Sequence, residues 1–230
     1  MTKIDELIET ARQLRAPGGC PWDAEQTHQS LTKYLIEETY ELIEAIESND
    51  RQQVLEELGD VLYHVVFNSD LAESGSLGEP FNIQDVAELS IVKMKGRHPH
   101  VFGSKEELEK FKAETGDDVM QSWDAHKMKE KPERQSVLDG IPSSLPALLL
   151  ADKVIGKAQK LGVLDSEAKP AFELANEEQL GGLLLALVLS AKQQGLDSER
   201  ALRETLRELQ VEIRTFELSD DFDAGVIGKA

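Results

Sequence analysis

The sequence has one cysteine, no long hydrophobic run and few basic residues, and each shortage excludes a class of protein. Cys20 is the only cysteine among 230 residues, which excludes an internal disulfide. With no secretory signal in the first residues, we expect a reducing, cytoplasmic location. The longest apolar stretch, 183–189, is far shorter than the ~20 residues that span a bilayer. We therefore expect no membrane span and interpret this stretch as a buried helix.

The charge balance is strongly acidic. There are 44 Asp and Glu residues against 25 Lys and Arg residues, a formal net charge of −19. Nucleic-acid backbones and anionic membranes are bound by basic surfaces, so we expect neither as a direct partner. A phosphate ligand is not excluded, because bound cations can reverse the local sign of the charge.

Apolar residues recur almost everywhere at α-helical spacing, and no segment shows the alternation of a strand. The sequence therefore predicts an all-α fold with no significant sheet. Asp23 and Gln26 are predicted to cap the second helix, Asn82 the fourth, and Ser104 with Glu107 a short fifth. A further helix carries Trp123. The other predicted helices cover residues 3–15, 24–47, 51–73, 83–97, 146–161, 177–194 and 198–217.

The chain contains a weak internal repeat. EELGDVLYHVVFNSDLAE begins at Glu56, and EQLGGLLLALVLSAKQQG begins at Glu178. The alternative is a coincidence between two amphipathic helices, but the repeat is the better interpretation. Three prolines and few apolar residues mark a linker between the halves. We predict a first domain over 1–130, a linker over 131–146, a second helical unit over 147–218 and a flexible acidic tail over 219–230.

The strongest chemical pattern is a set of carboxylates in the first half. LIEETYELIEAI carries Glu37, Glu38, Glu41 and Glu44 with no basic residue between them. The next helix carries Glu57 and Asp60, with His64 one turn further. A short loop joins the helices, which should pack antiparallel and bring these carboxylates face to face.

Two interpretations of these carboxylates are open. An acidic helix face in water is the usual one, since 44 of 230 residues are acidic. Converging carboxylates, however, repel one another unless they hold a cation, and hard divalent cations prefer oxygen ligands. Apolar neighbours on both helices favour the second interpretation, because they place the acids beside buried surface.

Five blocks then identify a resemblance: GGCPWDAEQTHQSL, EETYELIEA, EELGDVLYHVVF, KMKGRHPHVFG and DGIPSSLPALLLADKV. Over residues 1–160 the chain resembles MazG-type nucleoside triphosphate pyrophosphohydrolases. The resemblance implies hydrolysis of NTPs or dNTPs between the α- and β-phosphates, giving NMP and pyrophosphate in a nucleotide-pool sanitising role. It also implies Mg²⁺, with Mn²⁺ as a possible substitute, and a MazG-like helical bundle that forms a homodimer.

The family pattern also implies residue roles. Glu38, Glu41, Glu57 and Asp60 match the Mg²⁺ ligands. Glu37 matches a neighbouring carboxylate that can accept the proton of the attacking water, so the implied catalytic residues are Glu37, Glu38 and Glu41. Substrate-binding positions fall on Lys93, Arg97, Trp123 and Lys127. By residue type alone, Lys93 and Arg97 would more often be solvated surface, and Trp123 would more often be core.

The second half departs from the family pattern. The repeat places Gln179 opposite Glu57 and Gly182 opposite Asp60, and no E-E-x-x-E helix precedes them. We interpret this half as a degenerate copy and expect the first half to be active, although in some two-domain relatives the C-terminal copy is the active one. Two alternatives are a nucleotide-binding or regulatory module without turnover, and a helical interaction protein without a ligand.

Overall fold

The computed structural model describes residues 1–111, 113, 115–116, 119, 130 and 133–219. Within those ranges the secondary structure is helical with no β-strand, which confirms the predicted all-α class. None of the helices there combines the length and hydrophobicity needed to cross a bilayer. In chain order the helices are α1 Lys3–Arg15, α2 Pro21–Glu25, α3 His28–Glu47, α4 Arg51–Glu73, α5 Ile83–Arg97, α6 Pro99–Phe102, α7 Lys105–Lys110, α8 Ala147–Lys160, α9 Glu177–Gln193 and α10 Ser198–Glu217.

The prediction of one helix over residues 24–47 is wrong. The chain is extended at Gln26 and Thr27, which separate α2 from α3. Thr27 caps α3, accepting from the Ser30 backbone N–H at 3.1 Å, while the Ser30 side chain accepts from the Thr27 N–H at 2.9 Å. Asp23 is buried within α2 instead of capping α3. Serine therefore provides the return hydrogen bond that Glu or Gln usually supplies.

The chain divides into two compact units, Met1–Gly96 and Arg97–Ala230. In the first unit, α3 and α4 pack together and α1 packs on α4. Asn49 adopts a left-handed φ of 55° in the loop between α3 and α4, and the Asp50 side chain caps α4. The sequence-based domain limits at 130 and 146 stay a prediction.

The core of the first unit lies between α3 and α4. Leu31, Phe67 and Leu71 are buried together, with Tyr34 and Tyr63 packed against them. Ion pairs fasten α1 to α4 at the same end, where Arg15 pairs with Asp70 and Arg12 binds Glu73 at 2.9 Å. The α3–α4 pair is therefore anchored at the end where α3 begins.

The second unit is built on α8 and α10, whose buried faces include Val154, Ala158, Leu206 and Ile213. The prediction that 183–189 is a buried stretch is wrong for this chain, since no residue of α9 is buried and Leu185 is 70% exposed. The reason is that, among the described helices, α9 packs only on α10, so most of its apolar surface has no second layer to cover it.

Candidate active site

The pairing of α3 with α4 positions the site. His28 Nδ1 lies 2.8 Å from Asn68 Oδ1, and Leu31 packs with Phe67 in the core. Each step forward along α3 is matched by a step back along α4, as in any antiparallel helix pair. The carboxylates of α3 therefore face those of α4 about two turns further along.

Three of the predicted metal ligands converge there. Glu38, Glu41 and Glu57 each place a carboxylate oxygen within 4.8 Å of the other two. Asp60 is not in this group of three, but it is close enough for its charge to act on Glu38. Glu37 is exposed beside the cluster and acts on Glu38 more weakly. The structure thus brings together the carboxylates of two helices that the sequence presents separately.

Two carboxylates of the cluster, Glu38 and Glu57, have raised pKa values. Burial, followed by the charges of Asp60 and Glu41, raises the pKa of Glu38 above its usual value. Burial and the charge of Glu41 likewise raise the pKa of Glu57. Both shifts mean that the ionised forms are destabilised. A proton or a cation relieves this repulsion, so the two compete for the same oxygens as the pH falls.

The residues present fit a hard divalent cation. Glu57 Oε2 is shielded from water and has no hydrogen-bond partner, which is costly for a carboxylate oxygen. The donor set consists entirely of carboxylate oxygens, which suits Mg²⁺ and not a soft metal such as Zn²⁺ in a cysteine site. A bound cation would give the buried Glu57 oxygen a partner and would neutralise the surrounding carboxylates.

The structure describes two of the four predicted substrate-binding residues. Lys93 is half-buried on α5, and no hydrogen bond or ion pair of the described residues joins it to a carboxylate. Arg97 belongs to the second unit and binds Glu130 through two hydrogen bonds of 2.8 and 2.5 Å. Trp123 and Lys127 lie outside the described residues.

Sequence reasoning missed an aromatic group beside the carboxylates. Trp22 is 49% exposed and lies edge-on to Tyr34, with 5.6 Å between ring centroids. Tyr34 is one turn before Glu38 on α3, and that i, i+4 spacing was visible in the sequence. His64 was noted only for its distance from Asp60; the structure shows a buried imidazole whose Nδ1 has no partner.

Comparison with known proteins fits this geometry. The model of the MazG nucleotide pyrophosphohydrolase domain matches residues 26–102. The nucleoside triphosphate pyrophosphohydrolase of Escherichia coli K12 is 33% identical over 94% of this chain and 88% of its own length. The chain belongs to the MazG family. The predicted family is therefore confirmed, and the matched segment contains α3, α4 and α5.

Other relatives cover similar lengths. The Thermotoga maritima nucleoside triphosphate pyrophosphohydrolase/pyrophosphatase MazG is 36% identical over 89% of this chain and 81% of its own length. An uncharacterized 26.1 kDa protein of Streptomyces cacaoi is 40% identical over 87% of this chain and 77% of its own length. The similarity to MazG proteins thus extends well beyond the carboxylate helices.

Proposed function

We propose that this MazG protein hydrolyses NTPs or dNTPs at the bond between the α- and β-phosphates, releasing NMP and pyrophosphate in a Mg²⁺-dependent reaction. The observation that carries the proposal is the convergence of Glu38, Glu41 and Glu57, with a buried Glu57 oxygen that has no partner. The E. coli and T. maritima relatives are nucleoside triphosphate pyrophosphohydrolases, which supports the substrate class. Removing surplus or non-standard nucleotides is the role that follows.

Glu38, Glu41, Glu57 and Asp60 would hold the metal. When bound, Mg²⁺ neutralises phosphate oxygens and favours ionisation of the attacking water. By holding the metal, the carboxylates would fix the position of the triphosphate relative to α3 and α4. A bound cation would also stabilise the ionised forms of Glu38 and Glu57, whose pKa values are raised by burial and by neighbouring charges.

The bond changes follow from the products. A water oxygen forms a bond to the α-phosphorus while the bond from that phosphorus to the bridging oxygen breaks. The electron pair of the broken bond leaves with pyrophosphate. Glu37 is the proposed acceptor of the water proton, because it is exposed beside the cluster and adjacent in sequence to Glu38.

Lys93 and Arg97 are the proposed contacts of the leaving pyrophosphate. A guanidinium binds phosphate with the same paired geometry that it uses for a carboxylate. Arg97 already makes such a pair with Glu130, so binding would exchange one anionic partner for another. Trp123 and Lys127 keep their proposed roles as contacts of the nucleotide.

The residues of the second unit favour the first unit as the active one. Gln179 does not take the place of a metal ligand there: its side chain accepts from the Ala175 N–H at 2.8 Å, while Asn176 accepts from the Gln179 N–H at 2.9 Å. These two residues close the N-terminus of α9. Gly182 supplies no side chain at all. In the proposed degenerate copy, the position opposite Glu57 thus carries a helix-capping residue and the position opposite Asp60 carries no side chain.

Product analysis tests the proposal. Incubation with each NTP and dNTP should give the monophosphate and pyrophosphate, and EDTA should stop the reaction. Release of a diphosphate and inorganic phosphate would contradict the assigned bond. The alternative of a binding module without turnover would be supported if nucleotide with Mg²⁺ raised the melting temperature but no product formed.

We also propose that the protein is a homodimer through its first unit. The outward faces of α3 and α4 expose a set of large apolar side chains that water would otherwise contact: Leu35, Ile36, Tyr40, Ile43, Leu55, Leu58 and Leu62. Exposed apolar patches of this kind mark interaction surfaces. Sedimentation equilibrium should give twice the 25.6 kDa chain mass, and Ile36→Glu should lower it to a single chain. A single-chain mass for the unmodified protein would contradict the proposal.

A further inference from the structure

An aromatic surface lies directly beside the carboxylates on α3. Tyr34 and Glu38 are four residues apart, so they share a helix face and are separated by about 6 Å along the axis. The Trp22 ring meets the Tyr34 ring edge-on at 5.6 Å and an interplanar angle of 68°. Trp22 therefore reaches α3 about one turn before the carboxylate cluster.

Trp22 contacts Tyr34 while about half of its surface is accessible to water. The residue is 49% exposed, although tryptophan is a large apolar side chain. Tyr34 packs against the core residues Leu31 and Phe67. The Lys33 ammonium lies over the Tyr34 ring, 4.4 Å from its centroid. An exposed ring supported at its edge by a packed ring is suited to stacking, because it loses little freedom when a flat ligand binds.

We propose that Trp22 is the stacking platform for the nucleobase of the substrate. This inference rests on the proposed function. In this arrangement the nucleotide lies along the α3–α4 pair, with the triphosphate at Glu38, Glu41 and Glu57 and the base towards the start of α3. The base and the α-phosphate are separated by one ribose, and that distance is similar to the rise of one helical turn.

Stacking also defines the substrate class. Every nucleobase has a flat π face, so stacking on an aromatic ring tolerates all bases. The site should accept both purine and pyrimidine nucleotides. Inorganic tripolyphosphate, which has no base, should bind the carboxylate end without using Trp22.

Fluorescence provides a test that needs no turnover. The chain has two tryptophans, so the emission of Trp22 is the difference between the unmodified protein and Trp22→Phe. AMP or CMP should quench this difference emission, whereas tripolyphosphate should not. Absence of such quenching by either nucleotide at millimolar concentration would overturn the proposal.

Kinetics provide the second test, in the otherwise unmodified chain. Stacking contributions imply that Trp22→Ala raises KM for NTPs about 5- to 100-fold, with a smaller change in kcat and no change in inhibition by tripolyphosphate. Trp22→Leu keeps apolar bulk but no flat ring, so it should resemble Trp22→Ala, while Trp22→Phe should retain most of the affinity. Phe172→Ala, which removes another exposed ring, is the matched control and should leave KM unchanged.

The outcomes separate this inference from the proposed function. Full recovery by Trp22→Leu, or an equal loss of tripolyphosphate binding, would assign Trp22 a packing role and overturn the stacking proposal while turnover remained intact. If no nucleotide is hydrolysed by the unmodified protein, the proposed function fails, but quenching of Trp22 by AMP and CMP would still support the base site.

Discussion

The double substitution Glu38→Gln, Glu41→Gln is expected to reduce NTP turnover by about 10³-fold or more, because it removes the charges of two proposed metal ligands while keeping side-chain size. The two residues supply the α3 side of the carboxylate group. Measurement of pyrophosphate release at saturating Mg²⁺ checks this result. Residual turnover within tenfold of the unmodified protein would contradict the assignment of the site.

A matched variant controls for the change in net charge. Glu44→Gln, Glu47→Gln removes two charges from the same helix, α3, outside the converging group, and should retain full turnover.

Thermal melting distinguishes a loss of metal binding from a loss of folding. Without Mg²⁺, the Glu38 and Glu41 variant should melt at a higher temperature than the unmodified protein, because like-charge repulsion is relieved. It should also lose the rise in melting temperature that Mg²⁺ produces.

Phe67→Ala is expected to destabilise the first unit by about 3–5 kcal/mol, the usual cost of truncating a buried phenylalanine. Phe67 is 2% exposed and packs against Leu31, Leu71 and the edge of Tyr63. Since it lies beneath α3, the temperature at which turnover is lost should fall together with the melting temperature. An unchanged midpoint in thermal and urea unfolding would contradict this account of the core.

Ile213→Ala is the counterpart in the second unit. Ile213 is fully buried among the side chains of α8 and α10, so its truncation should cost about 2–5 kcal/mol there. If catalysis belongs to the first unit, NTP turnover at 25 °C should stay within twofold. Loss of turnover in Ile213→Ala equal to that in Phe67→Ala would show that the second unit is needed for the reaction.

Local pattern was enough to predict most helices. The capping box of Ser104 with Glu107 and the capping of α5 by Asn82 follow from residue spacing along the chain, and both are present. Thr27 was missed because its return partner is Ser30 and not a Glu or Gln, the residues expected at that position. These features depend on neighbours three or four residues apart, which a sequence displays directly.

By itself, the sequence determined the all-α class, the MazG family and the carboxylate residues of the first half. Only the tertiary structure decided that Glu38, Glu41 and Glu57 converge, that a Glu57 oxygen is shielded and unpaired, and that Trp22 is exposed and contacts Tyr34. It also decided that α9 is exposed within this chain. The physical reason is that periodicity specifies which residues share one helix face, whereas contacts between helices depend on register, loop geometry and how many neighbours each helix has.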